Sequence, residues 1–580
     1  MNNVTACPLD CYDACSVVYE NGRLKGERSH KITRGFLCPH MNHYFDHEPI
    51  ASPRYRGETV TMEQALEILI GKLRETTPEK VLHYRGSGNF GMMQRATDHF
   101  FARYGATLTE GSLCDGAGEA GIIEGRGANY ALAPEQIAAA EVVIVWGRNP
   151  HVTHSHLLPF LEGKRIIVID PVRTKLAEKA VCHIAIKPNG DLYLALLLSR
   201  FLIIEGSEDR EFLQAYGSGF EEFYELTQTV RIKKVLEAID VTLGEIGRVL
   251  ETVVGKRTVI LTGVGIQKYA NGAATMRAID GFGALLGLFG KAGCGVGYLG
   301  SSLAGFELPF ETAAKRYEAK ATAAFEKYDL MMIQGANPAA QMPDTARVLD
   351  SLGKAGEVVY FGRYENETSL LADLVIPAKS FLGKEDVRSS YGSDDVLFAP
   401  MLREEPGKIG EYELAAALCS TFGIPIESEE RCIERIMAGT EPSAPGYFKA
   451  RGRFQPPYAE GFETDDGEFV FLDELDYDFN LDDGLFLLTP KSPGSLNSQF
   501  RRERCAYLHP DLGYDEGVRV RVASSVGGAE FEVRHDARLR RDCVLIYSGT
   551  PGVNYLTPSR LSDEGKNAVY QDEKIKVEPC

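Results

Sequence analysis

The sequence predicts an α/β chain built on parallel sheets, with a small cysteine-rich domain ahead of them and a β-barrel at the C-terminal end. The first observation is a repeat. Glu141-Val-Val-Ile-Val-Trp-Gly147-Arg-Asn149-Pro150 is an apolar strand ending in Gly-x-Asn-Pro, and Asp329-Leu-Met-Met-Ile-Gln-Gly335-Ala-Asn337-Pro338 repeats it 188 residues later. Each copy is followed by two more apolar strands, Arg165–Asp170 and Val181–Lys187 after the first, Glu357–Gly362 and Ala372–Pro377 after the second. Strands that are apolar throughout and alternate with short helices belong to parallel sheets covered on both faces. Two such units in the same order mean two related α/β halves. The second observation is a set of four cysteines near the N-terminus, Cys7, Cys11, Cys15 and Cys38. The third is the stretch Leu485–Cys580. There Leu485–Leu488, Val518–Ala523, Phe531–Arg534, Val544–Tyr547 and Ile575–Val577 read as short strands between turn signals, the pattern of a barrel.

Composition narrows the class. The 580 residues exceed what one core supports. The hydrophobic and charged fractions, 44% and 25%, are those of a globular protein. A net charge of −19 argues against nucleic acid as a partner, while leaving room for an anionic cofactor held by local dipoles. Twelve cysteines in so long a chain are no disulfide framework. Met-Asn-Asn-Val-Thr-Ala shows no signal region, and the apolar run Leu192–Ile204, broken by Arg200, is too short to span a bilayer. The expectation is a cytoplasmic protein without a membrane span of its own, its thiols reduced and available for metal.

Taken in order, the chain opens with three cysteines at spacings of three intervening residues, and the fourth follows after twenty-two more. One loop can aim three thiolates at a single centre, and a second loop closes the site. Four thiolates match a [4Fe–4S] cube. Structural zinc is the competing reading, although zinc sites use CxxC pairs more often than CxxxCxxxC. Residues 16–30 read as a hairpin with an Asn21-Gly22 turn. Thr61 and Gln64 form a capping-box pattern at the head of a helix, Val81–Tyr84 reads as a strand, and helical sequence runs on to Phe101. Gly111-Ser-Leu-Cys114-Asp115 follows, with Gly116, Gly118 and Gly121 read as leaving room for a bulky ligand. Further on, Lys408–Phe422 carries a helix, and residues 423–484, rich in acids, prolines and glycines, read as a connection.

The Gly-x-Asn-Pro turns have an intelligible chemistry. Ligands of a doubly wound sheet bind outside the carboxyl ends of its strands. Glycine lets backbone approach a ligand, asparagine offers donor and acceptor, and proline fixes the turn. Asp170, at the end of the next strand, can take the N–H edge of a base or a ribose hydroxyl. One such turn is no more than a tight βα connection; two in register, with a metal motif upstream, point to two nucleotide-like cofactor moieties.

Together these motifs resemble the molybdopterin oxidoreductases of the dimethyl sulfoxide reductase superfamily, which include formate dehydrogenases and polysulfide reductases. The resemblance spans nearly the whole chain. It takes in the cysteine motif, both turns, and Ile169-Asp170-Pro171-Val-Arg173-Thr. It also takes in Gly263-Val-Gly265-Ile-Gln267 with Asn271-Gly272, Glu367-Thr368 with Asp373 and Pro377, and Gly552-Val-Asn554-Tyr-Leu-Thr557. It implies two pterin guanine dinucleotides on one molybdenum or tungsten, and two α/β domains related by a pseudo-twofold axis, one inserted in the other. The division is then 1–52 for the iron–sulfur domain, 53–130 with 322–425 for one α/β domain, and 131–321 for the inserted one. Residues 426–484 form a connection, and 485–580 form the pterin-binding barrel.

The resemblance also implies site residues. Cys114 is the one cysteine between the cluster motif and the first turn, the place where the family holds its metal; a buried apolar cysteine is the competing reading, and Asp115 is the alternative ligand. Asp115, His154 and His156 are candidate proton handlers. Cofactor contacts fall on Gly147, Asn149, Asp170, Pro171, Gly190, Asp191, Gly265, Gln267, Gly335, Asn337, Glu367 and Thr368, with Asn497, Ser498 and Asn554 reaching in from the C-terminal region. Three departures stand out. His40 replaces the Lys or Arg that many members carry two residues after the fourth cysteine; a histidine there still allows a bridge by hydrogen bonding, with a charge that depends on pH. Asp115 stands where formate dehydrogenases have histidine, and Pro188-Asn-Gly190-Asp191 shifts the glycine of the family's Pro-Gly-Thr-Asp turn by one place. The expected reaction is a two-electron oxidation or reduction of a small molecule, such as a sulfur oxyanion, polysulfide or formate. Electrons pass through the cluster to an electron-transfer protein or an iron–sulfur subunit. The alternatives are a non-catalytic electron-transfer subunit and a non-redox hydratase on the same scaffold.

Overall fold

The computed structural model describes every residue except 1–2, 10, 89–90, 302, 304, 445, 453–454, 476–480, 482 and 501. Parts of the expected connection and Arg501 therefore lie outside the described residues. The chain forms two compact units, one of Met1–Gly111, Ser302–Gly452 and Ser492–Arg502, the other of Ser112–Ser301, Arg453–Lys491 and Glu503–Cys580.

The first unit is built on an eight-stranded sheet. Its inner strands Thr107–Glu110, Val81–Arg85, Leu330–Gln334, Glu357–Gly362 and Leu374–Pro377 run parallel, and only the short edge pair Arg54–Tyr55 and Glu58–Thr59 is antiparallel. Helices Met62–Glu75, Ala96–Tyr104 and Glu411–Phe422 cover one face, packing Leu69, Phe100, Phe101 and Leu418 onto Met332, Val359 and Leu374. The first of these helices opens with the Thr61–Gln64 capping box expected of it, satisfying otherwise unpaired N–H groups. The N-terminal hairpin Ser16–Glu20 and Arg23–Gly26 turns at Asn21 and Gly22, with φ of 50° and 76°, the left-handed pair that an Asn-Gly turn supplies. A four-stranded antiparallel sheet, in the order Asp386–Ser389, Asp395–Ala399, Tyr447–Ala450 and Thr440–Ala444, completes the unit. The segment read as a connection thus also contributes two strands and the helix Glu429–Ala438, capped by Ser428. Helix and strand signals there are short, and the acids between them masked the pattern.

The second unit carries a five-stranded parallel sheet ordered Cys182–Ile184, Arg165–Ile169, Val142–Trp146, Thr258–Thr262 and Gly295–Gly297. Val143, Val145, Val168 and Leu261 face Ile137, Leu157 and Leu161 on one side. The apolar run noted above is the helix Asp191–Ile204. It is buried nearly all round beside helix Gly272–Leu285, which explains why it shows no polar face. Six strands, Leu485–Leu488, Cys543–Leu545, Cys505–Leu508, Gly528–His535, Arg519–Ala523 and Lys574–Pro579, close into the predicted barrel around Val520, Phe531, Val533 and Val544. Among the described residues no helix is long and apolar enough to cross a membrane.

Candidate functional site

In the first unit the four N-terminal cysteines come together. Cys7 N–H donates to the Cys15 carbonyl at 2.8 Å, folding the first loop on itself. Cys38 arrives on a second loop that lies against the hairpin at Gly26, where a Cβ would stand 2.5 Å from the Gly35 carbonyl carbon. That close approach requires glycine. Burial pushes the Cys7 thiol up to about 12, against the lowering field of Arg388. Burial, Asp13 and the other thiols hold Cys11 and Cys15 well above the usual thiol range, and burial raises Cys38 as well. Four thiols that shift one another are a donor set waiting for a cation, which suits a four-thiolate centre. Burial lowers the pKa of His40, and its ring stacks on Phe500 with centroids 5.5 Å apart.

The second Gly-x-Asn-Pro turn lies in the same unit, over the carboxyl end of Leu330–Gln334. Gly335 has φ of 54°, and Gly86, from the neighbouring strand's end, packs so close that a Cβ there would lie 2.3 Å from the Gly335 carbonyl oxygen. Asn337 organises the turn. Its Nδ2 donates to Glu367 Oε2 at 2.7 Å and Ser498 Oγ at 3.0 Å, and its Oδ1 accepts from Thr368 N at 3.2 Å and Oγ1 at 2.9 Å. Although burial works against ionisation, the Asn337 hydrogen bond and Arg502, whose guanidinium is 2.9 Å away, keep Glu367 below its ordinary value. Asn497, in left-handed backbone (φ 51°), lines the adjoining cleft with Ser498 and Gly335. The cleft measures about 470 Å³, and Gln334, which also lines it, has a buried Nε2 with no partner among the described residues. An open, polar cleft with an unmet donor at a strand's carboxyl end fits a nucleotide moiety.

The second unit repeats the arrangement. Gly147 has φ of 60°, and Gly263, at the end of the neighbouring strand, would put a Cβ 1.8 Å from the Gly147 carbonyl oxygen. Asn149 Oδ1 is buried without a hydrogen-bond partner among the described residues. Asp170, just before Pro171, accepts from Val172 N–H at 2.8 Å; burial and the neighbouring Asp191 raise it to about 7. Asp191 accepts from Trp146 Nε1 at 2.6 Å and is raised by burial to about 6. In Pro188-Asn-Gly190-Asp191, Asn189 takes the left-handed backbone (φ 67°) and Gly190 caps the helix that Asp191 begins. Two buried carboxyls with no ion-paired cation among the described residues suit N–H donors from a base. His154 Nδ1 lies 2.5 Å from Arg148 Nη2 beside this turn, and His156 is buried in the following 3-10 helix. Asn554 is buried, with Thr557 Oγ1 donating to its Oδ1 at 3.2 Å.

Cys114 precedes the helix Gly116–Arg126. Ser112 Oγ accepts from Cys114 N–H at 2.9 Å and donates to Asp115 Oδ1 at 2.7 Å. The fully buried Gln267 donates from Nε2 to the Cys114 carbonyl at 2.7 Å and accepts from Gly118 N–H at 3.0 Å, so the loop is pinned from one side chain. Gly265, two residues earlier, receives Gln571 Nε2 at its carbonyl, 2.9 Å away. The helix is anchored at its far end by the buried Arg126–Asp280 ion pair. The glycines here do not open the loop to a cofactor as the sequence reading had it. A Cβ at Gly116, Gly118 or Gly121 would meet Gly565 O at 2.7 Å, the Tyr298 ring at 2.8 Å, or Ala273 O at 2.4 Å, so they let chain pack on chain. Lys268 was missed by the sequence reading, though it adjoins Gln267. Burial and Lys491 lower it to about 8, while Cys114 and Asp115 pull the other way; its ammonium sits 4.9 Å from the Tyr570 ring centroid. Tyr570 is held above its ordinary value by burial and by Cys114.

The described residues thus bring together two Gly-x-Asn-Pro turns at strand ends, four neighbouring thiols and a single cysteine pinned by Gln267. The molybdopterin oxidoreductase family model matches residues 54–391, and the chain belongs to that family of enzymes. It is 29% identical to YyaE of Bacillus subtilis, described as a probable oxidoreductase, over 70% of this chain and 66% of that protein. It is 23% identical to formate dehydrogenase H of Escherichia coli, over 100% of this chain and 92% of that one. The structure of acetylene hydratase from Pelobacter acetylenicus superposes with a TM-score of 0.83 at 18% identity, covering both chains fully, which shows a shared fold.

Proposed function

We propose that the chain is a molybdenum- or tungsten-dependent two-electron oxidoreductase that acts on a small anion, formate or a sulfur oxyanion or polysulfide. The observation that carries this reading is the buried Lys268 beside Cys114 and Asp115, a cation set where a substrate would meet the metal ligand. In this reading Cys7, Cys11, Cys15 and Cys38 hold a [4Fe–4S] cluster, and Cys114 holds the metal. The Gly147–Asn149 turn with Asp170, Pro171, Gly190 and Asp191 takes one pterin guanine dinucleotide; Gly335, Asn337, Glu367, Thr368, Asn497 and Ser498 take the other. Gly265, Gln267 and Asn554 support the pterins, and the five-part domain division is kept as a proposal, with the part of 426–484 up to Ala450 contributing a helix and two strands rather than a bare connection. When bound, the metal centre exchanges two electrons with substrate and the cluster relays them singly.

The chain's own residues do the rest. Gln267 and Ser112 fix where Cys114 points, Lys268 attracts and orients the anion, and Asp115, with its Oδ1 held by Ser112, stands next to Cys114 to carry a proton. His154 and His156 are the more distant proton handlers. A partner electron-transfer protein or iron–sulfur subunit, in the cytoplasm where thiols stay reduced, completes the circuit. The relative named as a formate dehydrogenase supports an anionic substrate.

The test is turnover by anaerobically purified protein with a viologen dye, oxidised for formate and reduced for thiosulfate and polysulfide. Turnover with one of these anions is expected. Hydration of an alkyne with no dye consumed points instead to a hydratase. Cluster reduction with no turnover and no molybdenum or tungsten points to an electron-transfer subunit.

A further inference from the structure

We propose that Arg388 is the charge-setting positioning residue of the four-thiol site, a fixed buried cation that raises the reduction potential of the cluster held there. Arg388 lies on the strand Asp386–Ser389, in the first unit, and is 2% exposed. Its Nη2 donates to the Leu9 carbonyl at 3.2 Å, inside the Cys7–Cys11 loop. Two residues on, Ser390 Oγ donates to the Tyr12 carbonyl at 2.6 Å, inside the Cys11–Cys15 loop. This one strand end therefore grips both halves of the motif by their carbonyls. The remaining two nitrogens, Nε and Nη1, are buried and have no hydrogen-bond partner among the described residues.

A guanidinium in that position is costly unless an anion faces it. Its hold on Leu9 sets it against the Cys7–Cys11 loop, so the anion that offsets it is the set of thiolates that metal binding creates. Asp13 acts on the same thiols with the opposite sign. Four thiolates around iron make a net negative centre that becomes more negative on reduction. A fixed positive charge beside it favours the reduced form, and net charge is one of the terms that sets such potentials.

The inference rests on the cluster proposed above. The experiment is an EPR-monitored redox titration of the anaerobic full-length protein and of Arg388→Lys and Arg388→Gln, with iron counted in each. Arg388→Gln, which keeps a donor for Leu9 but not the charge, is expected to keep its iron. Its equilibrium constant for reduction should fall at least tenfold, about 59 mV for a one-electron couple. Arg388→Lys should stay near wild type. An iron-replete Arg388→Gln protein with an unmoved potential, or Arg388→Lys shifted as far as Arg388→Gln, overturns the proposal in favour of simple packing. If Arg388→Gln sheds its iron, the wild-type protein decides. A guanidinium gives a cluster potential flat between about pH 5 and 8, whereas a histidine charge makes it fall with rising pH across that window and overturns the assignment. Wild-type protein without iron would fail the cluster reading itself, a result distinct from all of these.

Discussion

The raised carboxyl of Asp170 makes a prediction that needs no metal. In the cofactor-free chain Asp170 holds its proton up to about pH 7, because burial and Asp191 outweigh the hydrogen bond from Val172. A guanine edge presents N–H donors, which require the carboxylate. Binding guanosine therefore expels a proton from Asp170, and affinity should rise with pH until about 7 and then level off. With a free-state value of about 7, the population able to bind falls by a factor of about 10 at pH 6 relative to pH 8, near 1.4 kcal/mol. Asp191, at about 6, adds a second loss below that. The same linkage acts on folding: the folded chain binds the extra proton between an unfolded value near 3.9 and about 7. The ligand-free protein should thus lose stability as pH rises through that window. Trp146, the single tryptophan, donates to Asp191 and so reports the site by its fluorescence. Guanosine, which carries no phosphate to titrate, is the ligand to use. The expected result is a dissociation constant about tenfold weaker at pH 6 than at pH 8, with that slope lost in Asp170→Asn. A pH-independent constant, or the same slope in Asp170→Asn, refutes the assignment of Asp170 to a base.

Two further predictions concern the second unit. Cys114→Ala should leave the cluster spectrum and most of the dinucleotide in place while turnover falls by orders of magnitude, and X-ray absorption at the metal edge should lose one sulfur; Cys114→Ser should replace that sulfur by oxygen. Unchanged coordination and turnover in the alanine variant would make Cys114 a core cysteine and move the ligand to Asp115. Lys268→Met should raise the KM for an anionic substrate about 10- to 150-fold at unchanged metal content, the loss of one charge-assisted hydrogen bond of about 1.5–3 kcal/mol. A KM within twofold of wild type would show that Lys268 serves only packing against Tyr570.

Much of the architecture was legible because its signals are local. Apolar runs mark the strands Val142–Trp146 and Leu330–Gln334, Asn21-Gly22 marks the hairpin, and Thr61 with Gln64 marks the helix start. The turns at Gly147 and Gly335 were legible for the same reason. What stayed hidden depends on partners distant in the chain. A glycine announces a missing Cβ but not what fills the space, so Gly116, Gly118 and Gly121 were assigned to a cofactor when Gly565, Tyr298 and Ala273 occupy those positions. Arg388 reaches Leu9 across 379 residues, and nothing near it in sequence links it to the cysteines. Lys268 stood beside a recognised motif, but its electrostatic link to Cys114 depends on the loop that Gln267 pins, far away in the chain. The helix Glu429–Ala438 was hidden by the acids around it.

Metal and nucleotide analysis of the anaerobically purified protein tests the central claim most directly. The account predicts about four irons per chain on cube stoichiometry, one molybdenum or tungsten, and close to two GMP released by acid from protein made in a host that synthesises the cofactor. Stoichiometric zinc without iron, together with no molybdenum, tungsten or GMP, would contradict it.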